Sequence, residues 1–293
     1  MVRINRDQLV TISVIGEIQS PLAGASPYYV SYDGVPYNEF MTGGIVYNVR
    51  VGDSAMGWAG DHVEPCVTMR NPDDACNHAL SIMACIGNQA RVVSGDAKGA
   101  IGVVTGKHGG GEKVLVDFAP ADTEKMVIGD KIQVKGYGRG LRFLDHPDVI
   151  ARNLGIELVE AMGLEDGADG KLVVPVSAIV PAAFMGSGVG GASARGDYDI
   201  QTADSEALQA AGCDALRLGD IVAIQDHDDR FARGSYRRGH IAVGIVVHGD
   251  SVIGGHGPGV VVLLSAGEEA LATRKDISAN IADQMHIGSN RSA

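Results

Sequence analysis

Short runs of β-branched and aliphatic residues, separated by glycine-rich turns, recur along most of the chain. Runs of this length that end at Gly, Pro, Asn or Asp are typical of strands. The pattern therefore predicts strands at LVTISVIGEI (9–18), GGIVYNVRVGD (43–53), KLVVPVSAIVPAAFM (171–185), LGDIVAIQD (218–226), GHIAVGIVVHGD (239–250) and PGVVVLLSA (258–266).

Three segments instead have the composition and end signals of helices. The first covers 73–92, with Asp73 at its start and Gly87 as a place where it could end. The second covers 146–164, with Pro147 in its first turn. The third is ADSEALQAAG (203–212), which has capping residues at its start and a terminal glycine.

Between residues 95 and 138 the sequence pattern changes to short predicted strands around Gly-rich turns. GAIGVVTGKHGGGEKVLVDF (99–118) has the signal of a hairpin, and MVIGDKIQVKGYG (126–138) adds a strand. We expect a small SH3-like or OB-like barrel at 95–138, inserted in or attached to a larger mainly-β domain formed by 1–94 and 139–293. The predicted class is a strand-rich α+β fold.

Composition narrows the functional classes. The 41 glycines indicate many backbone-built loops, and the formal net charge of −12 makes nucleic acid an improbable partner. The N-terminus lacks the apolar core of a signal peptide, and no run approaches the roughly 20 residues of a membrane helix. We expect a cytoplasmic homo-oligomer without a membrane segment that binds a small molecule. The four cysteines show no metal-binding CxxC spacing.

Four blocks resemble a known family. They are GWAGDHVEP (57–65), SGDAKGAIGVVTGKHGG (94–110), GDIVAIQDHD (219–228) and IVVHGDSVIGGHGPGVVVLLS (245–265). Together they make the chain similar to an uncharacterised prokaryotic domain-of-unknown-function family across nearly its whole length. The resemblance implies a mostly β structure with a small barrel domain and a cytosolic setting, but it carries over no activity and no catalytic residues.

Two clusters combine histidine with carboxylates. In a strand, His62 and Glu64 would share a face and Asp61 would oppose them, so one group could bind a cation while another acts as base. In the second cluster, Asp226 and Asp228 flank a histidine and would repel each other unless a cation neutralised them. The alternatives are a solvated strand end for the first and neutralisation by the following arginines for the second.

Two further clusters combine histidine with glycine. His248 ends an apolar strand, and His256 lies between Gly255 and Gly257, where the backbone can approach a ligand closely. The alternative is a glycine-rich turn in which the histidine has no function. Lys107, with His108 and Gly109, could form an anion or carboxylate pocket, although the same residues suit the tip of a hairpin.

Three other matches carry little weight. The glycine pattern at 186–191 formally fits a dinucleotide fingerprint, but no amphipathic helix follows it. Arg195-Gly196-Asp197 is a chance tripeptide in a cytosolic chain. Cys66 could pair with His62 as a thiolate, but a buried inert cysteine is the simpler interpretation.

The leading hypothesis is a metal-assisted hydrolase or lyase that acts on a small polar carbonyl compound, such as an amide or cyclic amide. Its divalent metal, Zn or Mn, would be held by His62, His248, His256, Asp226 and Asp228. Glu64 or Asp61 would act as base and Lys107 would hold the oxyanion, while the substrate would contact His108, Gly109, Gly255 and Gly257. The alternatives are a non-catalytic module that binds a metabolite or protein, and a metal-free enzyme that uses Lys107 or Lys98. We expect the 61–64 segment and the two C-terminal histidines to share one pocket.

Overall fold

The computed structural model describes residues 2–22, 29–31, 34–37, 43–109, 112–251 and 256–291, with the backbone alone at Tyr29, Pro36, Tyr37 and His256. It confirms a strand-rich α+β fold. The strands are β1 (Ile12–Ile18), β2 (Tyr29–Val30), β3 (Pro36–Tyr37), β4 (Val67–Arg70), β5 (Gln89–Val92), β6 (Ile101–His108), β7 (Lys113–Asp117), β8 (Lys131–Gly136), β9 (Ile150–Ala151), β10 (Glu165–Asp166), β11 (Leu172–Val176), β12 (Ala178–Val180), β13 (Tyr198–Gln201), β14 (Ile221–Asp228), β15 (Ser235–Val246), β16 (His256–Gly267) and β17 (Leu271–Lys275). The α-helices are α1 (Asp74–Met83), α2 (Pro120–Thr123), α3 (Ile156–Ala161), α4 (Ser205–Ala211) and α5 (Ile281–Met285), and short 3₁₀ turns lie at Arg6–Gln8, Ala182–Phe184 and Gly288–Asn290.

Six strands form a closed barrel in the order β1-β4-β7-β6-β5-β8. All neighbouring pairs are antiparallel, and β1 pairs with β8 from Ile12–Gly136 to Glu17–Lys131. Only β6, β7 and β8 lie inside the predicted 95–138 segment. Three short strands cannot close on themselves, so the barrel takes β1, β4 and β5 from residues 12–92.

The larger sheet is built on a long antiparallel meander. Strands β14, β15 and β16 pair in sequence, and the sheet order is β12-β14-β15-β16-β13, with β9 added beside β16. These three strands confirm the elements predicted near 218–266. A separate three-stranded sheet has the order β10-β11-β17, and β2 pairs with β3.

The barrel and the larger sheet share one hydrophobic core. Val104 and Leu115 of the barrel belong to the same buried cluster as Ile245 and Val261 of the sheet. Alternate residues of the sheet, such as Val246, pack into a second cluster on its other face. Burial on both faces explains the continuous apolar runs of β15 and β16. The packing of the barrel against the larger sheet also brings the ends of barrel strands next to the ends of sheet strands.

The helices are shorter than the sequence predicts. Asp73 caps α1 as expected by accepting a hydrogen bond from the Cys76 amide, but the helix ends at Met83. Gly87 then adopts φ +94°, and residues 89–92 form β5. The helix predicted over 146–164 is reduced to α3, and the strand predicted at 43–53 is absent, since this described segment forms turns and one isolated bridge.

Helix α4 matches its prediction. Asp204 accepts a hydrogen bond from the Ala207 amide, and Gly212 ends the helix in the left-handed conformation. In the part of the chain that the structure describes, no helix has the length and apolar character needed to cross a membrane.

Candidate functional site

Three histidine rings meet where the barrel faces the larger sheet. His62 lies in the loop before β4, His108 ends β6 and His248 follows β15. The ring centroids are 5.6 Å apart for His62 and His108, 5.0 Å for His62 and His248, and 4.2 Å for His108 and His248. Three chain segments far apart in sequence thus bring their imidazoles into one small volume.

Each of these rings is held through its Nδ1 atom. Nδ1 of His62 lies 2.9 Å from Oδ2 of Asp61, and Nδ1 of His108 contacts Oε1 of Glu64. Nδ1 of His248 lies 2.7 Å from the Gly249 carbonyl oxygen, which can only accept a hydrogen bond. A ring that donates from Nδ1 presents Nε2 as its lone-pair atom, which is how metal-binding histidines are commonly oriented.

Glu64 is a buried anchor for His108. Its carboxylate also accepts a hydrogen bond from Thr68 and lies 3.3 Å from the Lys113 ammonium. Burial acts to raise the pKa of Glu64, but the charges of His108 and Lys113 and the hydrogen bonds outweigh it and lower the pKa to about 2. Glu64 is therefore ionised, and His108 donates to it.

Asp197 and Asp199 approach His248 from the larger sheet. Nε2 of His248 is 2.8 Å from Oδ2 of Asp197 and 3.4 Å from Oδ1 of Asp199. The second oxygen of Asp197 accepts a hydrogen bond of 2.8 Å from the Gly109 amide. With a neutral His248 ring, Nε2 and Oδ2 would be two acceptors facing each other, so a proton or a cation is needed between them.

The titration of His248 and Asp197 reflects this conflict. Burial acts to lower the pKa of His248, but the carboxylates of Asp197 and Asp199 raise it well above its ordinary value. Burial acts to raise the pKa of Asp197, whereas the charges of His248 and His108 bring it below the usual range. For His62, burial lowers the pKa, and the other two histidines add to that effect against Asp61.

Three of these side chains have the spacing of a metal-binding group. One ligand atom each from His108, Asp197 and His248 lies within 4.8 Å of the other two. Gly259 leaves room beside the contact between the last two, because a Cβ added there would lie 2.2 Å from both Oδ2 of Asp197 and Nε2 of His248. Two histidines and one carboxylate are a donor set that suits zinc or manganese.

His62 is held in an uncommon backbone conformation. Its φ is +51°, in the left-handed region that few residues other than glycine adopt. Backbone hydrogen bonds from the His62 amide to the Asp250 carbonyl (2.9 Å) and from the Gly249 amide to the Val63 carbonyl (2.9 Å) fix the loop against the segment after His248. Such strain is frequent at functional sites.

A cleft of about 200 Å³ lies beside the cluster of His108, Asp197 and His248. Its lining includes Gly109, Asp197 and the guanidinium-bearing residue Arg195, and glycines of the 186–191 loop form another wall. Arg195 lies 2.6 Å from Oε1 of Glu112, whose other oxygen is 3.0 Å from His78. The cleft therefore places the ion pair of Arg195 and Glu112, together with open backbone, near the carboxylate of Asp197.

Other residues predicted for the site lie elsewhere. Lys107 is fully buried and donates to Asn153 (2.7 Å) and to the Ala194 carbonyl (3.0 Å), and burial lowers its pKa to about 7. Asp228 is neutralised by Arg230 and Arg237, which is the metal-free alternative for that cluster.

Asp226 and Gly257 have contacts of their own. Asp226 accepts a hydrogen bond from the Gly239 amide at a bulge of β14, and among the described residues neither it nor Asp228 belongs to the cluster of His108, Asp197 and His248. Gly257 packs against β13, where an added Cβ would meet Thr202 at 2.2 Å. Gly255 and the His256 side chain lie outside the described residues. Within the described residues, Asp61, His62, Glu64 and His248 converge as expected.

Sequence reasoning missed Asp197, Asp199 and Arg195. Asp197 and Arg195 were set aside as parts of a chance tripeptide. The sequence does carry one signal: Asp197 and Asp199 follow a glycine-rich loop at a spacing of two residues, one just before β13 and one within it, and this spacing places both on one face of an extended chain. That spacing alone does not reveal which histidines they meet.

The chain belongs to a family of unknown function. Residues 28–160 match the domain of unknown function DUF4438, N-terminal, and residues 161–285 match DUF4438, C-terminal. Among solved structures, the crystal structure of TM1086 is similar to this chain, with 47% sequence identity, a TM-score of 0.89, and coverage of 96% of this chain and 98% of that one. No curated protein matches the chain.

Proposed function

We propose that this chain is a metal-dependent hydrolase that acts on a small polar carbonyl compound such as an amide or cyclic amide. The observation that carries the proposal is the meeting of His108, Asp197 and His248 with their ligand atoms within 4.8 Å. Both histidines are anchored at Nδ1, so Nε2 is the coordinating atom of each. A bound Zn²⁺ or Mn²⁺ would polarise the substrate carbonyl and lower the pKa of a water molecule.

In this proposal His62 accepts the proton. Asp61 orients its ring, and the ring lies 5.0 Å from His248 and 5.6 Å from His108 between centroids. Burial lowers its pKa, which favours the neutral ring that a base requires. Water adds to the carbonyl carbon, the C–N bond breaks, and His62 passes the proton from water to the departing nitrogen.

The roles of Glu64 and Lys107 differ from those expected from sequence. Glu64 positions His108, because its carboxylate is fully occupied by His108, Thr68 and Lys113. Lys107 belongs to a buried network with Asn153. Arg195 lines the cleft beside Asp197. In this proposal Arg195, instead of Lys107, binds a polar or anionic oxygen of the substrate.

Elemental analysis of the natively purified protein tests the metal. We expect about one Zn or Mn per chain, lost in His108→Ala and His248→Ala and kept in the exposed control His286→Asn. Chelator-stripped protein reconstituted with each metal is then screened against small linear and cyclic amides. His62→Gln should keep its metal and lose turnover.

The results separate the candidate functions. Unchanged metal content in His108→Ala and His248→Ala would overturn the metal assignment and favour a plain ligand pocket. A bound metal without hydrolysis of any amide would favour a non-catalytic metabolite-binding module.

A further inference from the structure

A second cleft, of about 510 Å³, lies on the surface of the segment that follows the barrel. It is lined by Gln8 and by residues from the range 139–152. The segment folds back on itself through a bridge between Arg142 and Ile150, and β9 attaches it to β16. The volume of the cleft is in the range of pockets that hold small metabolites.

The charge of this cleft is opposite to that of the molecule. Arg139, Arg142 and Arg152 all belong to the lining, and no aspartate or glutamate does among the described residues. The whole chain carries a formal net charge of −12. The two aspartates of this segment, Asp145 and Asp148, lie outside the lining, and Asp145 pairs with Arg3.

Two of the arginines have unused hydrogen-bonding capacity. Arg139 donates to the Arg152 carbonyl at 3.4 Å, and Arg142 donates to Gln8 at 2.6 Å, so both contact neutral oxygens. A guanidinium has five N–H donors in a fork that matches carboxylate and phosphate oxygens. Because Arg142 is exposed and Arg139 is half-buried, both can reach a ligand from solvent.

Arg152 adds a positive charge to the cleft rather than free hydrogen-bond donors. Its guanidinium donates to the carbonyls of Asp229 and Arg230. Burial lowers its pKa and Arg139 adds to that lowering, whereas Asp229 raises it. Nε of Arg152 also lies 3.7 Å from Oδ2 of Asp229, so its charge is partly balanced within the protein and Arg139 and Arg142 are left to hold a ligand.

The cleft is preformed and partly apolar. Hydrogen bonds from the Asn5 amide to the Arg142 carbonyl and from the Arg142 amide to the Asn5 side chain hold its rim. Leu141, Phe143 and Val149 anchor the segment in the core, and the exposed side chain of Leu144 contributes apolar surface to the lining. A ligand would thus meet fixed arginines and an apolar surface with little reordering of the chain.

We propose that this cleft binds a small organic anion, with a phosphate or carboxylate group held by Arg139 and Arg142 and an apolar part against the floor. This site is independent of the metal-binding group, and the chemistry of guanidinium recognition is shared by phosphates and carboxylates.

Calorimetric titration at fixed ionic strength tests the proposal with inorganic phosphate, phenyl phosphate and citrate as probes. We expect saturable binding of one anion per chain, with phenyl phosphate tighter than inorganic phosphate. Comparison of phosphate with citrate identifies which group the arginines prefer. Arg142→Gln, at an exposed side chain, and Arg139→Gln should each weaken binding about tenfold or more.

Two matched variants complete the experiment. Arg274→Gln removes an arginine that is paired with Glu165 and Asp276 away from the cleft and should leave the affinity unchanged. His248→Ala should also leave it unchanged, which separates this site from the metal proposal. Absence of saturable binding for all three probes, an equal loss in Arg274→Gln, no loss in Arg139→Gln and Arg142→Gln, or loss in His248→Ala would overturn the inference.

Discussion

Gly259 has no side chain at the point where Asp197 and His248 face each other. An added Cβ would lie 2.2 Å from both donor atoms, so Gly259→Ala must push the carboxylate and the imidazole apart. We expect metal affinity to fall at least tenfold, as measured by competition with a chelating dye. Gly186→Ala is the control, because its Cβ would meet only ordinary contacts at 3.7 and 4.0 Å. Equal affinity in both variants would contradict the proposed geometry.

Glu64→Gln distinguishes a positioning residue from a catalytic base. The amide removes the charge that fixes the Nδ1-protonated tautomer of His108, so metal affinity should fall about 10–100-fold. If Glu64 were the base, the variant would keep its metal and lose only turnover. The exposed Glu165→Gln serves as control, and both metal content and amide hydrolysis are measured.

His227 makes the fold sensitive to acid. Burial lowers its pKa to about 4, against the smaller opposing effect of Asp228. Below pH 6.5 the unfolded chain binds a proton that the folded chain does not, so stability falls as pH decreases from 6.5 to 4, by about 3 kcal/mol at most. In urea unfolding, His227→Gln should lose less stability over this interval, whereas the exposed His286→Asn should follow the parent. Parallel pH profiles for His227→Gln and parent would refute this.

At the scale of elements, Gly87 separates α1 from β5. Its φ of +94° turns the chain from helix into barrel strand, and an added Cβ would lie 2.8 Å from the Leu158 Cβ. The local sequence from 73 to 92 favours a helix on both sides of Gly87, but pairing of β5 with β6 and β8 closes the barrel and outweighs that preference after Gly87. The helix therefore ends where tertiary pairing begins.

Two glycine substitutions test this boundary. Gly99 has a similar φ of +100° but no atom within 4 Å of an added Cβ, so Gly99→Ala carries the backbone strain alone. Gly87→Ala adds overpacking against Leu158 and should cost about 1–3 kcal/mol more than Gly99→Ala. Chemical denaturation of both variants measures the difference, and equal losses would show that the Leu158 contact has no effect.

At the scale of the whole molecule, the proposed metal donors come from two structural units. His108 ends a barrel strand, while Asp197 and His248 adjoin strands of the larger sheet. An ion bound by all three would connect the units and stabilise the folded chain by mass action, by about 2.7 kcal/mol at a free metal concentration 100 times the Kd.

Chelation should therefore lower the melting temperature by about 5 °C in a chain of this size. Added Zn²⁺ or Mn²⁺ should restore it. In His248→Ala the melting temperature should respond to neither chelator nor metal, while His286→Asn behaves as the parent. A parent melting curve that does not shift on chelation would argue against an ion linking the two units.

The strand-rich class and several elements could be predicted from the amino-acid sequence, because these depend on local pattern. Strands β14, β15 and β16 are buried on both faces, so their sequences are continuous apolar runs. The cap residue Asp204 and the terminal Gly212 define the start and the end of α4. The sequence also singled out His62, Glu64, His108 and His248, since imidazoles beside carboxylates or glycines are visible in a linear chain.

Which of these residues meet could not be predicted in this way, because it depends on how distant segments pack. Barrel closure draws β1, β4 and β5 from outside the expected segment, because a cylinder of strands must find partners on both edges. Burial of Lys107 against Asn153, neutralisation of Asp228 by arginines and the approach of Asp197 to His248 all depend on distances between residues far apart in sequence. Such distances are set by packing of the barrel on the sheet, which no local pattern encodes.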